Sequence, residues 1–264
     1  MSNLPSAQTL QLAERYERAQ NFWGKRPGRA LWRFERACLG PVIEPLIGLH
    51  ALEFSAAEPL LPLAQMRHSM RWAAMRGHAE SSSTLVCDPS SLPLEDECLD
   101  LVIIHHLLEV VPEPHHLLRE AARVMLDHGK LVIIGWQPLG IGALRYLGPK
   151  RNKSFPFDQK WRSVHRLKDW LAFVDFEIER VDYCAFSLSP HGGGWESLLR
   201  RYNLPFGHSF VILARRKRLR MIPLKPRFVP RLMIRPNPIG LNACRQRCEN
   251  VRHQPSEHPS LVEE

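Results

Sequence analysis

No stretch of the 264-residue sequence approaches the roughly 18 consecutive apolar residues that a membrane-spanning helix needs. The amino end, MSNLPSAQTLQLAERYERAQ, also lacks the apolar core of a secretory signal. A soluble, cytoplasmic protein without a transmembrane segment is therefore the expectation. Cysteine is sparse: Cys38, Cys87, Cys98, Cys184, Cys244 and Cys248 are scattered through a chain far longer than the small secreted domains that need staples. Reduced thiols are expected, and no disulfide framework is proposed. Internal repeats are absent too. What remains, 44% hydrophobic residues, is enough to bury a substantial core.

The formal charge of +9 invites a nucleic-acid reading until it is located. Residues 215–264 hold twelve Lys or Arg against four acids, whereas the first 214 residues carry 24 basic against 23 acidic. The basicity belongs to a tail, and the preceding body is near neutral. Seven prolines are spread through that tail, and proline removes backbone donors and blocks helix continuation. From about Pro223 onward the tail is accordingly expected to be largely extended or disordered, with weak contact to nucleic acid or anionic lipid as a partner class. It lacks the interleaved aromatics of a stacking platform.

Periodicity divides the body. Ser6 to Gln20 shows a loose helical stripe, and after Gly-Lys-Arg-Pro-Gly the segments Ala30–Leu39 (ALWRFERACL) and Val42–Ile47 resume helical spacing. His50–Ser55 (HALEFS) suits a buried strand, and Pro59–Met66 (PLLPLAQM) suits a helix with proline in its first turn. Thr84–Cys87 and Asp100–Ile104 read as strands, the second apolar on both faces like a central parallel strand. Pro114–Met125 is helical, with Gly129 beyond it as a stop, and Lys130–Gly135 is a further strand. This alternation predicts a parallel sheet covered by helices. Residues 161–174 read as a helix, Phe176–Tyr183 as an alternating strand, His191–Tyr202 as a glycine-rich loop with a short helix, and Ser209–Ala214 as a closing buried strand.

Residues 88–135 carry Asp88, Leu92, Pro93, Asp96, Asp100, Leu108, Glu109, Pro114, Leu118, Arg119, Glu120, Arg123, Val124, Gly129 and Leu131 in one ordered pattern. That pattern resembles the class I S-adenosylmethionine-dependent methyltransferases, in particular the group containing ubiquinone and menaquinone C-methyltransferases. A weaker likeness extends over roughly residues 40–217. The resemblance implies an α/β fold: a doubly wound, Rossmann-like, seven-stranded, mostly parallel sheet with an antiparallel last strand. The implied organisation is an N-terminal helical segment (1–40), a methyltransferase-like domain (41–217) and a basic proline-rich tail (218–264).

It also implies S-adenosylmethionine as cofactor and a small-molecule or lipid-like acceptor. Cofactor contacts fall on Glu53, Phe54, Ser55 and Ala57 after the first strand, on Asp88, which would accept from the adenine amino group, and on His105, whose carbonyl would take the methionyl ammonium. The bland alternative for Asp88 is a turn-capping aspartate before Pro89. No catalytic residue is assigned: methyl transfer depends chiefly on a near-attack arrangement, and His105, His106, Glu109, His191 and Tyr202 are each candidates for a base.

The family pattern is broken where it is usually strictest. A glycine-rich turn normally follows the first strand, but here Ser55, Ala57 and Pro59 replace all three glycines. Ser and Ala keep a crevice open only if the backbone stays at negative φ. The acid that usually ends the second strand has no clear counterpart, the nearest charges being Arg67, Arg71 and Arg76, and Pro89 lacks an N–H. Weakened cofactor affinity is expected; a catalytically inactive binding protein of the same fold is the alternative, and nucleic-acid binding through the basic tail is a further one. In the tail, Cys244, Cys248, His253 and His258 come close to zinc-knuckle spacing without matching it. They are read as chance cysteines of a polar tail, and no metal site is assigned.

Overall fold

The computed structural model describes residues 7–75, 77, 84–138, 140, 161–186 and 201–217. All of them fall within one compact unit, Met1–Leu219. The tail, with Cys244, Cys248, His253 and His258, lies outside the described residues, as does His191.

Two helices lead into the sheet, α1 (Ala7–Trp23) and α2 (Arg26–Ile43). The Gly-Lys-Arg-Pro-Gly segment is a tight corner rather than a long break. Pro27 occupies the first turn of α2, where its missing N–H costs nothing. Gly28 lies so close to the end of α1 that an added Cβ would sit 2.3 Å from the Phe22 carbonyl. The separate helical segments expected at 30–39 and 42–47 are one helix: Pro41 falls near its end and removes a single donor, and Ile47 already belongs to the first strand.

The strands are β1 (Ile47–Ser55), β2 (Gln65–Ala73), β3 (Thr84–Val86), β4 (Leu99–His105), β5 (Met125–Trp136), β6 (Phe176–Cys184) and β7 (Ser209–Arg216). They form a seven-stranded sheet in the order β3-β2-β1-β4-β5-β7-β6. Strands β1 to β5 run parallel, and β7 is antiparallel to both β5 and β6. This is the expected Rossmann-like arrangement with an antiparallel last strand. Among the described residues the remaining helices are α3 (Pro114–Val124) and α4 (Val164–Phe173).

Two further expectations fail. Gly129 does not stop α3, which ends at Val124, and lies inside β5. Pro59–Met66 is not a helix: Leu61–Leu63 forms a single 3-10 turn, and the chain enters β2 at Gln65. The apolar spacing of Leu60, Leu61 and Leu63 suited a helix, but Glu53 captures the amides of Leu60 and Leu61 at 3.0 Å. The Gln65 N–H then donates to Leu46 O, starting the β1–β2 pairing.

The core lies at the middle of the sheet. Leu101, Val102, Ile103 and Ile104 of β4 and Leu131 to Ile134 of β5 are fully buried. Each such side chain contributes about 1.5–3 kcal/mol relative to exposure. Because β1 and β4 are neighbours while β2 and β5 lie on their outer sides, the sheet order reverses between β1 and β4. In doubly wound sheets ligands bind at the carboxyl edge of that switch point.

Candidate functional site

At the carboxyl end of β1 the chain turns through Ser55, Ala56, Ala57 and Glu58 with every residue at negative φ. The backbone therefore has no need of the missing glycines. Three different elements hold the turn. Tyr16 Oη of α1 donates to Ser55 O at 2.9 Å, Arg71 Nη2 of β2 to Ala57 O at 2.8 Å, and Trp32 Nε1 of α2 to Glu58 O at 3.1 Å. Within the turn, Ser55 Oγ accepts from the Ala57 N–H at 3.0 Å.

Ser55 is paired in register with His105 at the end of β4, and its Oγ lies 3.1 Å from His105 Nδ1. His105 Nε2 lies 2.9 Å from one oxygen of Glu35, and His106 Nε2 lies 2.9 Å from the other. All four side chains are buried, Glu35 completely. Burial alone would raise the Glu35 carboxyl, but the charge attraction of His106 and the hydrogen bonds from both rings outweigh it and hold the group at about 2. Burial lowers His105, with the Glu35 hydrogen bond opposing it.

Neighbouring residues on a strand face opposite sides, so two adjacent histidines reaching one carboxylate need a special backbone. His106 supplies it by leaving β4 at φ 50°, in the left-handed region. Trp23 of α1 covers both imidazoles, at ring-centre distances of 4.8 Å and 5.1 Å, and Trp136 lies 4.6 Å from His106. The two indoles lie 6.2 Å apart and nearly parallel. Glu109 is buried nearby, its Oε1 accepting from the Trp136 N–H at 3.2 Å.

A cleft of about 270 Å³ opens beyond the carboxyl ends of β2 and β3. Leu12, Ala74 and Val86 supply apolar wall, and Asp88 and Ser90 supply polar edge. Asp88 caps its own turn, with Oδ1 accepting from the Ser90 N–H at 2.8 Å and from Ser90 Oγ at 2.5 Å. Its Oδ2 accepts from none of the described residues. Cys87 beside it has its thiol pushed up to about 11 by burial and by the charge of Asp88.

The sequence-derived residues thus separate into places. Ser55, Ala57 and His105 meet at the β1–β4 switch point, and Asp88 edges the β3 cleft. Glu53 is buried with both oxygens on the Leu60 and Leu61 amides. Phe54 packs in the core, 5.8 Å from Trp72. Of the possible bases, His105, His106 and Glu109 are enclosed, while Tyr202 is 66% exposed. Glu35, Tyr16 and Trp23 carry no motif, since each is one residue in a helical stripe. Ala74, lining the cleft just after β2, stands near the position that a ribose-binding acid takes in the family pattern.

Residues 56–133 match the methyltransferase domain family. The chain is 31% identical over 211 residues to the uncharacterized protein YafS of Escherichia coli strain K12, covering 78% of this chain and 83% of that protein. Among solved structures it is similar to a SAM-dependent methyltransferase of Thermotoga maritima. There the TM-score is 0.59 at 19% identity, over 78% of this chain and 99% of that one. It is also similar to a SAM-dependent methyltransferase of Aquifex aeolicus, with TM-score 0.50 and 17% identity, over 74% and 96% of the two chains.

Proposed function

The chain belongs to the class I S-adenosylmethionine-dependent methyltransferases, and from that premise we propose that it binds S-adenosylmethionine along the carboxyl edge of β1, β3 and β4 and transfers the methyl group to a small-molecule or lipid-like acceptor. The observation that carries this reading is the β3 cleft, where apolar Leu12, Ala74 and Val86 stand beside Asp88, whose Oδ2 accepts from none of the described residues and would serve an exocyclic amino group. The adenine end fits Asp88 and the apolar wall, whereas the ribose lacks its usual acid, Ala74 standing near that position. The other end, over Ser55 and His105, is roofed by Tyr16 and Trp23, so admission of a methionyl arm requires α1 to lift as a lid.

When bound, the cofactor supplies an electrophilic methyl group on a sulfonium. The chain's own residues orient and enclose. Asp88 accepts from the adenine amino group, Leu12, Ala74 and Val86 exclude water from the base, and the β1 turn and the His105 carbonyl receive the amino-acid end.

Calorimetry with S-adenosylmethionine and S-adenosylhomocysteine tests the reading. Both ligands are expected to bind, and Asp88→Ala is expected to weaken binding roughly tenfold, in line with loss of one acceptor for a buried donor. Absence of heat with either ligand under conditions where a related methyltransferase binds both would overturn it.

A second reading, a fold retained for binding without methyl transfer, is favoured by one specific feature. The carbonyls of Ser55, Ala57 and Glu58 are all engaged by the protein's own side chains. The two readings diverge for Tyr16→Phe: a lid predicts faster ligand association, whereas a permanent plug predicts no ligand binding in the parent chain.

A further inference from the structure

The geometry points to a buried divalent-cation site formed by Glu35, His105 and His106, of the class filled by zinc or another first-row transition ion. It stands apart from methyl transfer, because the cofactor reading uses only the His105 carbonyl and leaves both imidazoles without a task.

Three ligand atoms converge: the Nε2 of each histidine and an oxygen of Glu35, no two more than 4.8 Å apart. With metal–nitrogen and metal–oxygen bonds of roughly 2.0–2.2 Å, ligand atoms around one ion stand roughly 3 Å from each other. Each Nε2 lies 2.9 Å from a different oxygen of Glu35, so one ion held between the two rings requires the carboxylate to turn one oxygen toward both or to bind through both oxygens. Two histidines and a carboxylate are the donor set of catalytic zinc and non-haem iron centres.

The surroundings of His105 are those of a ligand held in place. A metal-binding imidazole ordinarily donates its other N–H to an oriented acceptor, and His105 Nδ1 faces Ser55 Oγ at 3.1 Å. The Ser55 hydroxyl serves either state. Without an ion, His105 Nε2–H donates to Glu35 and Nδ1 accepts from the hydroxyl. With an ion on Nε2, the ring proton sits on Nδ1 and donates to Ser55 Oγ.

The backbone also argues for convergence. A left-handed histidine costs roughly 1–2 kcal/mol, and the effect of that conformation here is to bring a second imidazole to the carboxylate already engaged by the first. Strain of this kind, observed rather than assumed, points to function. Trp23 and Trp136 close the chamber, so the ion enters while α1 is open or as the helices dock during folding.

The test uses the full chain, stripped with a chelator, then supplied with Zn²⁺ and dialysed, with Co²⁺ as a spectroscopic substitute. The expected result is one Zn²⁺ per folded chain, and visible cobalt d–d bands without the intense near-ultraviolet thiolate charge-transfer band. Glu35→Gln and His106→Asn are expected to abolish retention, and Ser55→Ala to weaken it roughly 10- to 100-fold, as loss of an orienting partner does. The double variant Cys244→Ser, Cys248→Ser is expected to retain the ion, which separates this site from the tail cysteines. Failure of the folded parent chain to hold stoichiometric zinc would overturn the assignment. So would a thiolate band, or retention by Glu35→Gln together with loss in the cysteine variant. Should Glu35→Gln not fold, the cobalt spectra of the parent chain and the cysteine variant still decide.

Discussion

Cys87 is a reporter built into the β3 cleft. Its thiol is shifted from 9.0 to about 11 by burial and by the neighbouring Asp88 charge, so at pH 7 it is a poor nucleophile. Alkylation of Cys87, followed by peptide mass spectrometry, is expected to rise about tenfold per pH unit until pH approaches its shifted value. S-adenosylhomocysteine is expected to shield it. The folded chain holds this proton more tightly than the unfolded chain does. The associated stability is therefore fully present below pH 9 and is lost as pH rises through about 11. Glu35 offers a second residue-scale outcome. In the metal-free protein, Glu35→Ala leaves two buried imidazoles without their carboxylate and is expected to cost about 3–5 kcal/mol in denaturant unfolding. Sequence spacing disclosed His105 and His106 as a pair but could not disclose Glu35. The acid lies 70 residues from His105 and is joined to it only when α2 docks on the sheet.

The two N-terminal helices show how local chemistry and long-range packing divide the work of specification. Their apolar stripes were legible, and so was the corner between them, because proline and glycine punctuate the chain. Their destination was not, because nothing local says that Tyr16 will reach Ser55 or Trp32 will reach Glu58. Gly28→Ala is expected to force α1 and α2 apart, since its Cβ would overlap the Phe22 carbonyl. A thermal melt should register a loss of about 2 kcal/mol or more, beyond the ordinary helical gain of alanine. Tyr16→Phe leaves the Ser55 carbonyl without its hydroxyl partner and is expected to cost about 1–3 kcal/mol by the same measurement. The segment after β1 gives the opposite lesson. Its leucines suited a helix, but the Glu53 carboxylate diverts their amides, and a side chain seven residues upstream overrides the local pattern.

At the scale of the whole molecule, the sheet was the most legible feature. The strand-helix-strand rhythm of residues 84–135 requires parallel pairing with helical crossovers, whereas the antiparallel last strand came only with the family resemblance. Less of the candidate site could be read, because its walls come from α1, α2 and four strand ends that are distant in sequence. Hydrogen exchange should reproduce this hierarchy. Amides of β4 and β5, buried on both faces, are expected to exchange only through global unfolding, and those of α1 through a smaller local opening. Uniform protection of α1 and β4 would show that the helix does not open separately.

The clasp on the Ser55–Glu58 turn has a kinetic consequence. Any molecule entering over that turn must wait for Tyr16, and with it α1, to let go. Its observed association rate should therefore stop rising with ligand concentration and level off at the frequency of spontaneous release. Once the clasp re-forms behind the guest, departure waits on the same event, and residence becomes long even where equilibrium affinity is modest.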